Sequence, residues 1–411
     1  MKLDAIQTNP AAALIHLERY VNKGSPSGFL AERATSPATA AASLFPFFDL
    51  PLIPVQEDQV IQYHPEAIPE SVKSDDSAIA FYPCHPDVLD VIQDLIPVET
   101  PTMHTRRMLR VAPTASARTV YVIEHGFYIK LHYPRDIGRF LRANPCHKWT
   151  SSFENCEELV AGINSGLAPR EFALLRETAG LLIGGHQGPQ GGAGVIFRED
   201  RPFPFRRLAP LIPFFSLFSN DRFAPDDPPL LVQWLKEVTC PLDFAMQALV
   251  EPLLQCFRFQ AIDCGLLPEN NGQNLLLEFD DDVSTTRIVH RDMMGTFKDL
   301  AMRRAHGLTS VLTPYHSVDF NVDPEECFRR RSFAYDFKTG EYVLKEIEIL
   351  LGAFFNVPTE DFRAAVRSAF RSIVTQDVEA YFGSTSTWRA YANVHPAGGR
   401  PYEQMKDPKY R

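Results

Sequence analysis

Between Glu269 and Asp292 the chain reads ENNGQNLLLEFDDDVSTTRIVHRD. One amide, Asn274, and two carboxylates, Glu269 and Asp292, stand at the ends of a short apolar run (Leu275 to Phe279) and a returning segment (Arg287 to His290). The intervening DDDVSTT has turn chemistry, so the two segments are expected to pair as a hairpin. Pairing brings Asn274 and Asp292 face to face at one end, with Gln273 and Glu269 just outside. Such oxygen donors suit Mg²⁺, which takes hard ligands and is often shared with nucleotide phosphates. A surface hairpin with a solvated acidic turn is the other reading of this segment alone.

A second segment, PTASARTV (Pro113 to Val120), supplies the opposite charge. Ser116, Arg118 and Thr119 alternate with small residues, so in a strand or tight loop they can face one ligand. Arginine offers bidentate contact to phosphate or carboxylate, and the hydroxyls add neutral donors. Lys130 follows within an apolar strand, where an ammonium is costly to bury unless an anion partners it. Alone it reads as a snorkelling edge lysine. With Ser116, Arg118, Thr119 and Arg142 it reads as part of an anion pocket.

These residues need a scaffold. At 411 residues the chain is long enough for two or three domains. Hydrophobic content of 45% and charged content of 22% are those of a globular protein. A formal charge of −10 argues against sequence-independent nucleic-acid binding. No apolar run approaches a membrane span, and the N-terminus lacks a signal-peptide core. Seven scattered cysteines without CxxC spacing argue against a disulfide framework or zinc site, and cytoplasmic residence is the default.

Along the chain, a helical pattern in 1–21 is followed by a Pro-, Ala- and Ser-rich arm from Gly24 to about Ile68. Residues 78–96 read as strand, turn and helix, and 108–133 as antiparallel strands. Helices are expected at Asp136–Ala143 and Pro169–Ile183. A glycine-rich loop (Gly184 to Gly194) follows, without the Lys-Ser/Thr ending of a P-loop, and leads into the strand VIFRE. From Pro228 the chain turns helical, with a kink expected at Pro252. The segment from His395 reads as an exposed tail. The division expected is 1–77, 78–215 and 216–411, with the hairpin 269–292 in the last.

In order, PCHPDVLDVI (with His85), PTASARTV, the Lys130-to-Arg142 spacing, VIFRE, ENNGQN and VHRD resemble the motifs of NRPS-independent siderophore synthetases of the aerobactin-synthetase type. The resemblance covers roughly residues 78 to 300. It implies an α+β, hand-like fold of thumb, fingers and palm, and an ATP-dependent ligase that adenylates a carboxylic acid such as citrate before an amine or hydroxyl attacks. Carried over by position, Ser116, Arg118, Thr119 and Lys130 hold phosphates and Gln273 contacts the nucleotide. Lys130, Arg142 and Asn271 carry the catalytic roles, with Arg142 facing the carboxylate or reacting phosphate. Glu269, Asn274 and Asp292 hold Mg²⁺. The resemblance implies small-molecule partners, no nucleic acid or membrane, and leaves a homodimer open. Two departures stand out: the family's loop histidine is Asn271, and its GHP-x-HP-x-x-K segment is missing upstream of His85. An amide donates hydrogen bonds but carries no charge, which leaves the identity of the carboxylate open.

Two other readings compete. His290-Arg291-Asp292 spells a protein-kinase catalytic triplet, but that motif needs asparagine five residues later, where Phe297 stands. A non-catalytic, ligand-binding relative is the third reading. Cys146-His147-Lys148 is read as a loop cluster and Arg329, Arg330 and Arg331 as a solvated face. Ser216 and Asn220 are candidates for the rim of an acceptor pocket, and His186 for a substrate histidine.

Overall fold

The computed structural model describes residues 2–22, 39–40, 44, 46–96, 107–137, 140–185, 191–280, 286–308, 312–383, 388–390, 402–405 and 407–411. Its first half is built on strands β1 (Phe48–Gln56), β2 (Val60–Tyr63), β3 (Ile79–Pro83), β4 (Arg107–Pro113), β5 (Thr119–Val122) and β6 (Phe127–Lys130). A small ribbon follows, β7 (Tyr133–Ile137) with β8 (Phe140–Arg142), then β9 (Phe172–Leu174), β10 (Glu177–Ile183) and β11 (Ala193–Glu199). Eight of these form one antiparallel sheet in the order β2-β10-β11-β6-β5-β4-β1-β3. Val120, Val122, Ile129, Val195 and Phe197 fill a core on one face. Strand alternation turns Thr119, Tyr121, Tyr128, Lys130 and Arg198 to the other.

The second half carries a four-stranded sheet, β12 (Leu211–Pro213), β13 (Leu275–Glu278), β14 (Arg287–His290) and β9, with β14 and β9 parallel. Leu275, Leu276, Leu277 and Phe279 are apolar because this hairpin is buried on both faces, and the one acid among them, Glu278, is buried against Arg287. Leu275, Leu277 and Ile288 join the large helical core. Leu276 and Val289 pack instead with Tyr121 and Tyr128 of the first sheet and Leu14 of the N-terminal helix Pro10–Tyr20. The hairpin is therefore held against the polar face of the eight-stranded sheet. The helix that leads toward it runs from Pro241 to Asp263 and widens into a π-turn at Met246–Val250, just before Pro252. That turn is where the expected disruption at the proline is absorbed.

Several expectations are corrected. The described residues of Asp136–Ala143 fall in β7 and β8, and Pro169–Ile183 carries β9 and β10, rather than helices. Ala, Leu and Glu in 171–183 favour a helix locally, but β10 lies between β2 and β11, and pairing overrides propensity. Cys146, His147 and Lys148 begin the helix Cys146–Asn164 rather than forming a loop. Within the expected exposed tail, Tyr402–Gln404 pairs with Trp388–Ala390 and Tyr410 and Arg411 are buried, while residues 395–401 and 406 lie outside those described. Arg331 is buried against Asp299, so only its two neighbours approach the solvated face expected. No described helix is long and apolar enough to cross a membrane.

Candidate functional site

Lys130 lies at the end of β6 and is 1% exposed, yet it is not an edge lysine. Its ammonium pairs with Oδ1 of Asp292, just beyond the hairpin. This contact joins the two segments that sequence reading treated separately. Asp292 has φ 68° and ψ 78°, a left-handed conformation that aspartate tolerates better than most residues. The two segments pair as a hairpin, but its register, Leu275↔His290 through Glu278↔Arg287, is one residue off the expected facing of Asn274 and Asp292. Arg291 N–H donates to the Asn274 carbonyl at 3.0 Å, so Arg291 rather than Asp292 stands opposite Asn274.

The β4–β5 turn is closed by its own hydroxyls. Ser116 Oγ accepts from Thr119 N–H at 3.0 Å, and Thr114 Oγ1 donates to the Thr119 carbonyl at 2.7 Å. Ala117 takes φ 58° within that turn. Arg118 donates to the Arg142 carbonyl at 2.6 Å and to Asn144 Oδ1, which ties the turn to β8. Asn144, which sequence reading passed over, is fully buried and donates to Leu131 and Gly194 carbonyls at 3.1 Å each. The Arg142 side chain feels the charges of both Glu269 and Asp292.

The acidic loop is similarly self-organised. Asn271 Oδ1 accepts from Gln273 N–H at 2.9 Å and Asn274 N–H at 3.1 Å, an Asx-type turn. Its carbonyl oxygen is thus committed to loop shape. Asn274 donates to the Glu269 carbonyl at 3.1 Å, and Arg291 Nε to the Gln273 carbonyl at 2.8 Å. The Glu269 carboxylate pairs with Lys338, a residue with no motif to mark it. A second missed residue is Glu18 in the N-terminal helix, 2% exposed. It pairs with Arg291 at 2.5 Å and accepts from Ala115 N–H at 3.2 Å. One carboxylate therefore clamps the β4–β5 turn to the hairpin.

Charge in this region is unbalanced. Arg118, Lys130, Arg142, Arg198 and Lys338 gather around Asp292, Glu177 and Glu269. Burial alone would raise the Asp292 carboxyl, but Lys130, Arg198 and Arg118 hold it well below the usual range. Burial and the neighbouring Arg142 lower Arg118 to about 9, and burial also lowers Lys130 and Arg142. The lowered bases reflect burial, whereas the lowered acid reflects its cations; five cations around three carboxylates leave positive charge in excess, which favours an anionic ligand.

Among the described residues no group of three or more His, Cys, Asp or Glu side chains forms a metal cluster. Glu269, Asp292 and the Asn274 amide are a thin set for zinc. They are donor types that Mg²⁺ takes when phosphates and water complete its shell, and here Asp292 and Glu269 are each engaged by a lysine. Of the remaining candidates, Ser216 is fully buried and its Oγ donates to the Leu17 carbonyl at 3.2 Å, so it cannot border a pocket. The Asn220 amide is used locally on Pro225 and Asp227. His85 is a buried cap whose Nδ1 accepts from Asp87 N–H at 3.2 Å. His290 stacks on Phe172 with Gln260 beside it, away from the role of a kinase triplet. His186 lies outside the described residues.

No family model matches the chain, and no curated protein does. Solved structures match its fold. ATP-bound aerobactin synthetase IucA from Klebsiella pneumoniae is similar with a TM-score of 0.70 and 16% identity, over 99% of this chain and 79% of that one. The petrobactin biosynthesis protein AsbB from Bacillus anthracis is similar with a TM-score of 0.65 and 14% identity, over 89% and 68%. Aerobactin synthetase IucC from K. pneumoniae gives 0.64 and 15%, over 90% and 69%.

Proposed function

On the α+β fold that this chain shares with the NRPS-independent siderophore synthetases, we propose that it is an ATP-dependent ligase acting on a small carboxylic acid. In this reading the acid is adenylated with release of pyrophosphate, and an amine or hydroxyl then displaces AMP to give an amide or ester. The observation that carries it is the Lys130–Asp292 contact, which joins a basic turn to an acidic hairpin in a region with excess positive charge.

Ser116, Arg118, Thr119 and Lys130 would hold the phosphates, with Ser116 and Thr119 also shaping the turn. Gln273 would contact the nucleotide. Arg142 would neutralise charge at the reacting phosphate or carboxylate, and Asn271 would keep the loop in register. Fixed cations of this kind need no reorganisation as charge develops on phosphate oxygens. Glu269, Asn274 and Asp292 would hold Mg²⁺, which supplies Lewis-acid neutralisation of the phosphates. The setting would be siderophore or related natural-product synthesis.

A pyrophosphate-release screen across carboxylic acids, with ATP, Mg²⁺ and hydroxylamine as acyl trap, tests this directly. Acid-dependent hydroxamate with AMP is the expected result. ADP as the nucleotide product would replace the reading with phosphoryl transfer, and no thermal shift with ATP and Mg²⁺ would replace it with a non-catalytic role.

A further inference from the structure

Lys338 lies in the middle of the helix Phe333–Leu344, which is π-helical along its whole length. π-Helical turns are rare and are frequent at functional sites. Its ammonium pairs with Glu269 Oε1 and sits 5.2 Å from the ring centre of Phe333 and 5.8 Å from those of Phe337 and Tyr342. Aromatic faces attract the charge but leave N–H donors unused. The helix is anchored on its other side. Asp336 accepts from Arg411 Nε at 3.0 Å and from Ser332 Oγ at 2.8 Å, and Tyr335 Oη donates to the Tyr410 carbonyl at 2.8 Å. Lys338 therefore approaches Glu269 from a fixed base.

Glu269 is confined as well. Its Oε2 lies against Gly295, where an added Cβ would stand only 2.2 Å away. The carboxylate is held between a glycine on one side and an ammonium on the other. A divalent cation using that carboxylate must contend with Lys338 for it.

We propose that Lys338 is the positioning residue of Glu269: ammonium and divalent cation take the same carboxylate in turn. Lys338 thereby sets the metal affinity of the site, and metal loading frees its ammonium toward an anionic ligand. This rests on the reading of Glu269 as a metal ligand.

Mn²⁺ binding to the full chain without nucleotide, followed by calorimetry or electron paramagnetic resonance, is the test. Lys338→Met should bind Mn²⁺ about fivefold more tightly than wild type, a modest competition at the upper end expected for one partly exposed ion pair. Lys338→Arg, which keeps the charge, should stay near wild type and controls for folding. In a Glu269→Gln background, Lys338→Met should give no further tightening. Equal or weaker binding by Lys338→Met overturns the proposal, as does tightening that persists undiminished without Glu269, which would indicate a long-range field alone. Failure of the wild type to bind Mn²⁺ removes the metal reading itself and is recognised because it strikes the unmutated chain.

Discussion

Replacing Lys130 with methionine separates the structural weight of the Lys130–Asp292 pair from its chemistry. Methionine keeps the volume of the stem, so no large cavity opens, but Asp292 loses its closest cation. Breaking a buried pair by removing one partner costs about 3–5 kcal/mol. Arg118 and Arg198 still attract Asp292, whose side chain is 29% exposed, so the lower end, about 3 kcal/mol, is expected. An unfolding entropy of about 2.1 cal/mol/K per residue over 411 residues turns this into a melting shift of roughly 3–4 °C, if the chain unfolds as one unit. Circular dichroism without nucleotide measures it. The double variant Lys130→Met/Asp292→Asn removes the stranded charge and keeps a residue tolerant of positive φ, so it should recover more than half the loss while staying inactive. A depressed carboxyl stabilises the fold above its unfolded value near pH 4 and loses that effect as pH falls, so this part of wild-type stability should fade in acid. A double variant no more stable than the single one would refute the assignment of Asp292 as the stranded partner.

Glu18→Gln keeps an acceptor for Ala115 N–H but leaves Arg291 buried without its counter-charge, and should lower the urea-derived stability by about 3 kcal/mol; a loss below about 1 kcal/mol, the level of an exposed pair, would count against the clamp. Gly295→Ala should change the melting temperature little, because the atom it meets ends a flexible side chain, yet cut Mg²⁺-dependent activity about tenfold or more by displacing Glu269; full activity would show that Glu269 is not needed where it sits. Burial lowers His132 to about 4 and His290 to about 3, so both stay neutral in the fold and are protonated first in the unfolded chain. Their contribution is complete above about pH 6.5 and is lost as pH falls toward 4, at about 1.4 kcal/mol per pH unit for each. Urea midpoints between pH 7 and 5 should fall accordingly, and His132→Gln should flatten the slope; an unchanged slope would contradict it.

Much of this architecture was legible where local pattern and tertiary role agree. The hairpin was read from a turn between two apolar runs, but its register was not: the ladder runs one residue away from the expected pair and sets Arg291, not Asp292, opposite Asn274. The β4–β6 region was read from alternation. Local reading failed at β10, where a helix-like composition is overridden by neighbours on both sides, and at the Cys146–Asn164 helix. There the fixed points are Trp149, packed on Gly180 and Gly194, and Asn155, which donates to the Met293 carbonyl at 3.0 Å. Lys338 and Glu18 carried no signal because each meets the site only through tertiary structure, from a π-helix and from a helix about a hundred residues before the turn it clamps. The reading of Lys130 as a snorkelling edge lysine does not survive its burial. The surface-hairpin reading gives way because both strands are buried, while residues 281–285 of its acidic turn lie outside those described.

The central claim is that this site activates a carboxylate through AMP. Carboxylate-dependent exchange of radiolabelled pyrophosphate into ATP, run with Mg²⁺ over a panel of small acids, measures that step without requiring the second substrate. Exchange that appears with one class of acid and disappears in Asp292→Asn is the predicted result. Exchange indifferent to every acid, with label from the γ-phosphate passing to an acceptor and ADP left behind, would contradict the account.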